Sequence, residues 1–215
     1  ASYPRSGNTL LRIVLRQCFD IWSYGAVGEG DDASFDEIAG HLSYEGERAA
    51  FLRDRRRWPG MHFVKTHIDI TAIKDRAIYV VRDGRAAIAS YQRFLRDFDG
   101  EDFALPQIIC GWPIAMTWTD HIKRWLDRPN VLLLRYEDLT SPKGPPLEAI
   151  SRFIGRPVLK PFEMTFEQLQ SSRPDFFRVG SNRPGIKLVE RSCSELFWSI
   201  NGEMMRHLGY GLTDR

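Results

Sequence analysis

Two periods of apolar residues divide this chain. The run Leu10-Leu11-Arg12-Ile13-Val14-Leu15-Arg16 carries one apolar face at helical spacing and predicts a helix over residues 8–20, followed by polar helical patches near 34–40 and 45–57. Short continuous apolar runs predict strands at Met61–Thr66, Arg76–Arg82 and Asn130–Arg135. Helical spacing returns over Gly84–Phe98 and Trp112–Leu126, and the last third reads as helices at Leu147–Ile154, Phe166–Ser171 and Ser194–Leu208 joined by loops. Fully apolar strands separated by helices suit a parallel sheet covered on both faces, whose ligands sit beyond the carboxyl ends of the strands. Ala1-Ser2-Tyr3 leaves no room for the strand that should feed the first helix, so that strand is expected to begin upstream of residue 1.

Composition narrows the picture. A chain of 215 residues, 43% hydrophobic and 12% aromatic, can bury a full core, and residues 1–215 are expected to form a single domain. The net charge of +2, with arginines and carboxylates interspersed, argues against a nucleic-acid or membrane partner, and Arg53, Arg55, Arg56 and Arg57 read as a solvated helix end. Cys18, Cys110 and Cys193 are too widely spaced for a metal set or a disulfide framework, which suggests a reducing, cytoplasmic setting. No apolar run approaches the ~20 residues that span a bilayer.

Candidate chemistry gathers at strand ends. Ala1-Ser2-Tyr3-Pro4-Arg5-Ser6-Gly7-Asn8-Thr9 is a turn of small residues opening a helix, where unpaired amides and the helix dipole favour an anion. Against the pattern G-x-x-x-x-G-K-[ST], Gly7 and Thr9 match, Ser2 replaces the first glycine and Asn8 stands where lysine belongs. Without that lysine the loop suits a nucleotide better than triphosphate hydrolysis. An ordinary helix start capped by Ser6 or Asn8 would show much the same pattern. The second strand end carries Lys65-Thr66-His67. The third delivers Arg82 into Asp83-Gly84-Arg85, with Ser90 further along the following helix, and Arg82 and Ser90 could converge on a second phosphate. Alternatively, Arg82 could serve only as an ion-pair partner of Asp83 or Glu137.

Five motifs in register resemble those of the PAPS-dependent sulfotransferases. They are Ser2–Thr9, Lys65-Thr66-His67, Val81-Arg82-Asp83 with Ser90-Tyr91, Arg135-Tyr136-Glu137-Asp138-Leu139 and His207-Leu208-Gly209-Tyr210, covering essentially the whole chain. The resemblance implies a P-loop-like three-layer α/β/α fold with a central parallel sheet and a largely helical C-terminal part. It implies 3′-phosphoadenosine 5′-phosphosulfate (PAPS) as sulfuryl donor, with no metal in the transfer. Arg5, Ser6, Gly7, Asn8 and Thr9 would hold the 5′-phosphosulfate, and Arg82 and Ser90 the 3′-phosphate. Phe177-Arg178-Val179-Gly180 resembles the segment that closes over that phosphate, with Val179 in place of a second basic residue. Arg178 and Gly180 are therefore carried over, with Arg183 and Lys187 as substitutes for the lost charge.

Transfer of a sulfuryl group puts charge on the bridging and sulfuryl oxygens, which Arg5 and Lys65 could offset. His67 is then the candidate general base, an imidazole with an ordinary pKa of ~6.5. His41, His62, His121 and His207 lack such context and are expected to be structural. Glu137 and Asp138 are expected to cap a helix or to fix Arg85 or Arg135. Tyr91, Phe94 and Phe98 have core-face spacing, while Phe103, Trp112 and Trp118 fall where this family builds its acceptor pocket. With Asp99, Glu101, Asp102 and Gln107 nearby, a small-molecule or carbohydrate acceptor fits equally well. A P-loop kinase and a catalytically silent nucleotide-binding module remain the rival readings. The kinase would want lysine at Asn8 and a metal-binding carboxylate, for which Asp83 is the best candidate.

Overall fold

The computed structural model describes residues 1–25, 36–42, 61–67, 75–174, 177 and 181–211. The expected patch at 45–57 with its arginines, and Arg178, Val179 and Gly180, lie outside these residues.

Among the described residues five short parallel strands form the centre: β1 (Ser23–Tyr24), β2 (His41–Leu42), β3 (Phe63–Val64), β4 (Ala77–Val81) and β5 (Val131–Arg135). They pair as β2-β1-β3 and as β4-β5, with Ala77 opposite Val131 and Val81 opposite Arg135. The first two residues close the gap between these groups. The Ala1 nitrogen donates to the Ile78 carbonyl at 2.7 Å, Val80 N donates to Ala1 O at 3.0 Å, and Ser2 N donates to Thr66 O at 3.3 Å. The expected feeding strand is thus represented by Ala1–Ser2, wedged between the end of β3 and β4. β1 and β2 carry only two residues each, too few for an alternation to announce them in the sequence.

Side chains of β4 and β5 alternate between two apolar clusters, as the two-residue period of a strand requires. Tyr79, Val81 and Leu133 face one side, and Ile78, Val80, Leu132 and Leu134 the other. On the second side lie α1 (Asn8–Phe19), α7 (Leu147–Ile154) and α8 (Phe166–Ser172), and Ile13, Val14 and Cys18 of α1 are completely buried there. Each such aliphatic side chain contributes about 1.5–3 kcal/mol. On the first side lie α3 (Gly84–Phe94), which runs into a π-helical turn at Leu95–Asp99, then α4 (Leu105–Ile109), α5 (Trp118–Leu126), α9 (Arg183–Ser192) and α10 (Ser194–His207). Short helices α2 (Asp36–Ala39) and α6 (Tyr136–Leu139) complete the set. The result is the expected three-layer α/β/α arrangement with a helical C-terminal part.

Several boundaries differ from expectation, and Leu105–Ile109 forms a helix where none was expected. The helix expected over Trp112–Leu126 starts only at Trp118, because Pro113 has no N–H to give a helix and Thr117 Oγ1 accepts from Asp120 N at 3.1 Å, capping a later start. α9 begins where only a loop was expected. Its start signal is Asn182-Arg183-Pro184, with proline in the first turn where its missing N–H costs nothing.

Candidate active site

The phosphate loop is shaped by two left-handed residues, Arg5 at φ 62° and Gly7 at φ 108°. For Arg5 that conformation costs roughly 1–2 kcal/mol. Gly7 is required on a second count, since a Cβ there would stand 2.7 Å from Tyr136 Cδ2. The turn points the first amides of α1, which have no intrahelical acceptor, at the end of the sheet. Ser6 is fully buried, and its Oγ has no hydrogen-bond partner among the described residues. A buried orphan hydroxyl in such a turn fits an anionic group held by the loop. The Asn8 side chain does something else: its Nδ2 donates to Thr66 O at 3.3 Å and to Ser2 Oγ at 3.4 Å. In place of the phosphate-binding lysine stands an amide that ties the loop to the end of β3, leaving only the Asn8 backbone amide for an anion. Thr9 follows it on the first turn of α1.

The Lys65-Thr66-His67 segment leaves β3 alongside this loop. Lys65 N donates to Tyr24 O at 2.8 Å, and Lys65 itself is half-buried. His67 Nδ1 lies 2.9 Å from Ser2 O. A carbonyl only accepts, so Nδ1 donates to it, with Ser2 Oγ also 3.3 Å away; in a neutral ring this leaves the lone pair to Nε2. That is the tautomer a base needs. His121, expected to be structural, is buried and linked to this segment: its Nε2 donates to His67 O at 2.8 Å, while Tyr79 Oη donates to His121 Nδ1 at 2.8 Å.

Arg5, Arg82 and Ser90 come together, though with different pairings from those expected. Arg5 Nε donates to Ser90 Oγ at 3.4 Å, and its guanidinium lies 5.0 Å over the Phe94 ring. Arg82 Nη1 donates to Arg5 O at 3.0 Å, so Arg82 reaches Ser90 only through Arg5. Arg82 also stacks 4.2 Å over Tyr136, the ring that closes on Gly7.

Arg82 pairs with neither Asp83 nor Glu137. Asp83 instead binds Arg85, accepting from its Nη2 at 2.7 Å, its Nε at 3.1 Å and its backbone amide at 2.9 Å. The carboxylate a kinase would bring to a metal is therefore committed to a buried arginine. Arg85 reaches Glu190 as well, at 2.8 Å. Burial alone would push the Glu190 carboxyl up, but hydrogen bonds from Arg85, Ser194 and Trp198, with the charge of Arg85, hold it below the usual carboxylate range. Glu137 fixes neither Arg85 nor Arg135. It accepts from Asn182 Nδ2 at 2.7 Å, Tyr210 Oη at 2.8 Å and Asp83 N at 3.3 Å. Burial first, and Glu137 second, raise the Tyr210 phenol far above its ordinary pKa, which keeps it a donor. Arg135 lies over the Tyr210 ring, at 4.3 Å. Arg183 and Lys187, the expected substitutes for Val179, are exposed on α9, and it is Asn182 that meets Arg82.

The aromatic supply divides. Tyr91 joins the core and Trp118 is completely buried beneath Gly84, so neither is open to an acceptor. Phe94 and Phe98 stack at 5.0 Å beside Arg5, and Phe103 and Trp112 lie 6.3 Å apart, with Trp112 60% exposed.

The sulfotransferase domain matches residues 1–175, and the chain belongs to this family. Dog sulfotransferase 1A1 is 24% identical over 173 residues, 73% of this chain and 58% of that protein. Sulfotransferase 2A1 of Macaca fascicularis is 29% identical over 108 residues, 46% of this chain and 36% of that protein. The alignments thus span at most little more than half of these relatives' length. Among solved structures, mouse sulfotransferase SULT7A1 complexed with PAP superposes with a TM-score of 0.66 at 19% identity, over 96% of this chain and 85% of that one. That likeness bears out the P-loop-like fold. Among the described residues no helix is long and apolar enough to cross a membrane.

Proposed function

We propose that this protein is a PAPS-dependent sulfotransferase that moves a sulfuryl group to a hydroxyl or amine of a small-molecule or carbohydrate acceptor. In this reading residues 1–215 act as one domain in the cytoplasm. The observation that carries the reading is the junction of β3, Ala1–Ser2 and β4. A lysine-free loop with a buried hydroxyl that has no partner among the described residues meets two arginines there, beside a histidine whose Nδ1 faces a carbonyl. Family membership supports it, as does the mouse sulfotransferase structure of the same fold, which is complexed with PAP.

The donor supplies the sulfuryl group, and adenosine 3′,5′-bisphosphate is what remains of it. Ser6 Oγ and the amides of Gly7, Asn8 and Thr9 hold the 5′-phosphosulfate at the positive end of α1. Arg5 offsets charge on the oxygen of the bond to be broken, and Lys65 offsets charge on the sulfuryl oxygens from the acceptor side. His67 takes the acceptor proton on Nε2 while its Nδ1–H stays on Ser2 O. Arg82 and Ser90 take the 3′-phosphate, and the resemblance adds Arg178 and Gly180 as further ligands of it. With Arg5 and Lys65 sharing the charge of the transfer, the scheme calls for no metal.

The test is calorimetric titration of adenosine 3′,5′-bisphosphate, adenosine 5′-monophosphate (AMP) and ATP, without metal and then with Mg²⁺. Metal-independent preference for the bisphosphate is the expected result. Mg²⁺-dependent preference for ATP overturns the reading in favour of a kinase, and binding of none of the three leaves a silent module.

A further inference from the structure

Arg82 is gripped on two edges and one face. Its Nε donates to Asn182 Oδ1 at 2.7 Å, its Nη1 donates to Arg5 O, and its plane rests on Tyr136. Nη2 makes no hydrogen bond among the described residues. Asn182, just before α9, uses its other amide atom on Glu137, with Nδ2 donating to Oε1 at 2.7 Å. A guanidinium can only donate and a carboxylate can only accept, so a carboxamide between them satisfies both in one orientation alone. The amide is also neutral. It holds the Glu137 carboxylate one side chain away from Arg82, and Glu137 finds its own donors in Asn182, Tyr210 and the Asp83 amide. The positive charge of Arg82 is left uncancelled at the end of the sheet.

We propose that Asn182 is a positioning and specificity-determining residue, which orients Arg82 toward the donor's 3′-phosphate and insulates its charge from Glu137. The inference rests on the sulfotransferase reading and names a residue beyond position 175, where the family match ends. It also gives the segment after Val179 a neutral part in the site, where a second cation was expected.

The experiment compares the full chain with Asn182→Asp and Asn182→Ala, titrating adenosine 3′,5′-bisphosphate and AMP by calorimetry without metal. Aspartate keeps an acceptor for Arg82 Nε but sets a carboxylate directly on the guanidinium and against Glu137. Its expected cost is about 10-fold or more in bisphosphate affinity, with AMP affinity changed by less than about twofold. Alanine moves the same preference in the same direction by less, and it decides the question should the aspartate variant not fold. In an Arg82→Ala background the aspartate should cost nothing further, since the two effects act through one guanidinium. Equal losses for both nucleotides would mark Asn182 as merely structural and overturn the proposal. So would an unchanged preference in both variants while the parent protein still prefers the bisphosphate. A parent protein with no such preference overturns the sulfotransferase reading itself, and this inference with it.

Discussion

The two corners proposed to bind the donor's phosphates are built in opposite ways. The phosphate loop is one continuous stretch, Ser2–Thr9, whose shape follows from its own left-handed residues and the helix it opens. The corner around Arg82 is assembled from residues far apart in the chain: Arg82 after β4, Glu137 in α6, Asn182 before α9 and Tyr210 near the end. The first depends on local backbone geometry. The second depends on α9 and the C-terminal segment docking correctly against α3 and β5. A local site tolerates distant change and fails by strain, whereas an assembled site fails by losing one partner of a network.

The largest effect is expected at the residue that links the loop to chemistry. His67→Ala should lower turnover by about 10²–10⁴-fold while leaving bisphosphate affinity unchanged, read from initial rates beside calorimetry. Loss of nucleotide binding would instead make His67 a strut of the loop, acting through Ser2. Next comes the assembled corner. Arg82→Ala should weaken the bisphosphate by about 10- to 100-fold and AMP far less, because a charge-assisted contact to phosphate contributes roughly 1.5–3 kcal/mol. Equal losses would remove Arg82 from the 3′ subsite and leave it a support for Arg5.

Gly7→Ala tests the local corner. A positive φ and a Cβ 2.7 Å from Tyr136 should together cost about 1–3 kcal/mol, seen as a lower melting temperature and weaker binding of both nucleotides alike. A selective loss of the bisphosphate would show that the corners are coupled through Tyr136. The smallest effect concerns pH. Glu190 is held below its ordinary pKa, so its contribution is fully present above the unfolded carboxylate value of about 4.3 and is lost as pH falls through the lower folded value. Wild type should therefore exceed Glu190→Gln in melting temperature near neutrality, and the gap should close on acidification below about pH 4. A gap independent of pH would assign the difference to packing.

Much of the fold was legible because its signals are local. Apolar runs marked β4 and β5, helical spacing marked α1 and α10, and the punctuation Gly7-Asn8 marked the start of α1. β1 and β2 were not legible because two residues cannot display an alternation, and α9 because its start signal, Asn182-Arg183-Pro184, equally suits a turn. Of the candidate site, the loop, His67, Arg5, Arg82 and Ser90 were all visible in the sequence, and they do meet at one end of the sheet. Their pairings were not visible. Nothing local says that Ser90 belongs to Arg5, that Asp83 is taken by Arg85, or that Trp118 is buried while Trp112 is exposed.

By itself the sequence determined the longer strands β4 and β5, the helices α1 and α10, the missing lysine and the residue types available for anion and proton chemistry, because these follow from backbone propensity and side-chain composition over a few neighbours. Only the tertiary structure decided which Nδ1 proton His67 keeps, where the Asn8 amide is spent, and that a neutral asparagine stands between Glu137 and Arg82. Those are properties of hydrogen bonds between groups distant in the chain. A donor or acceptor has no assigned partner until packing brings one within about 3 Å.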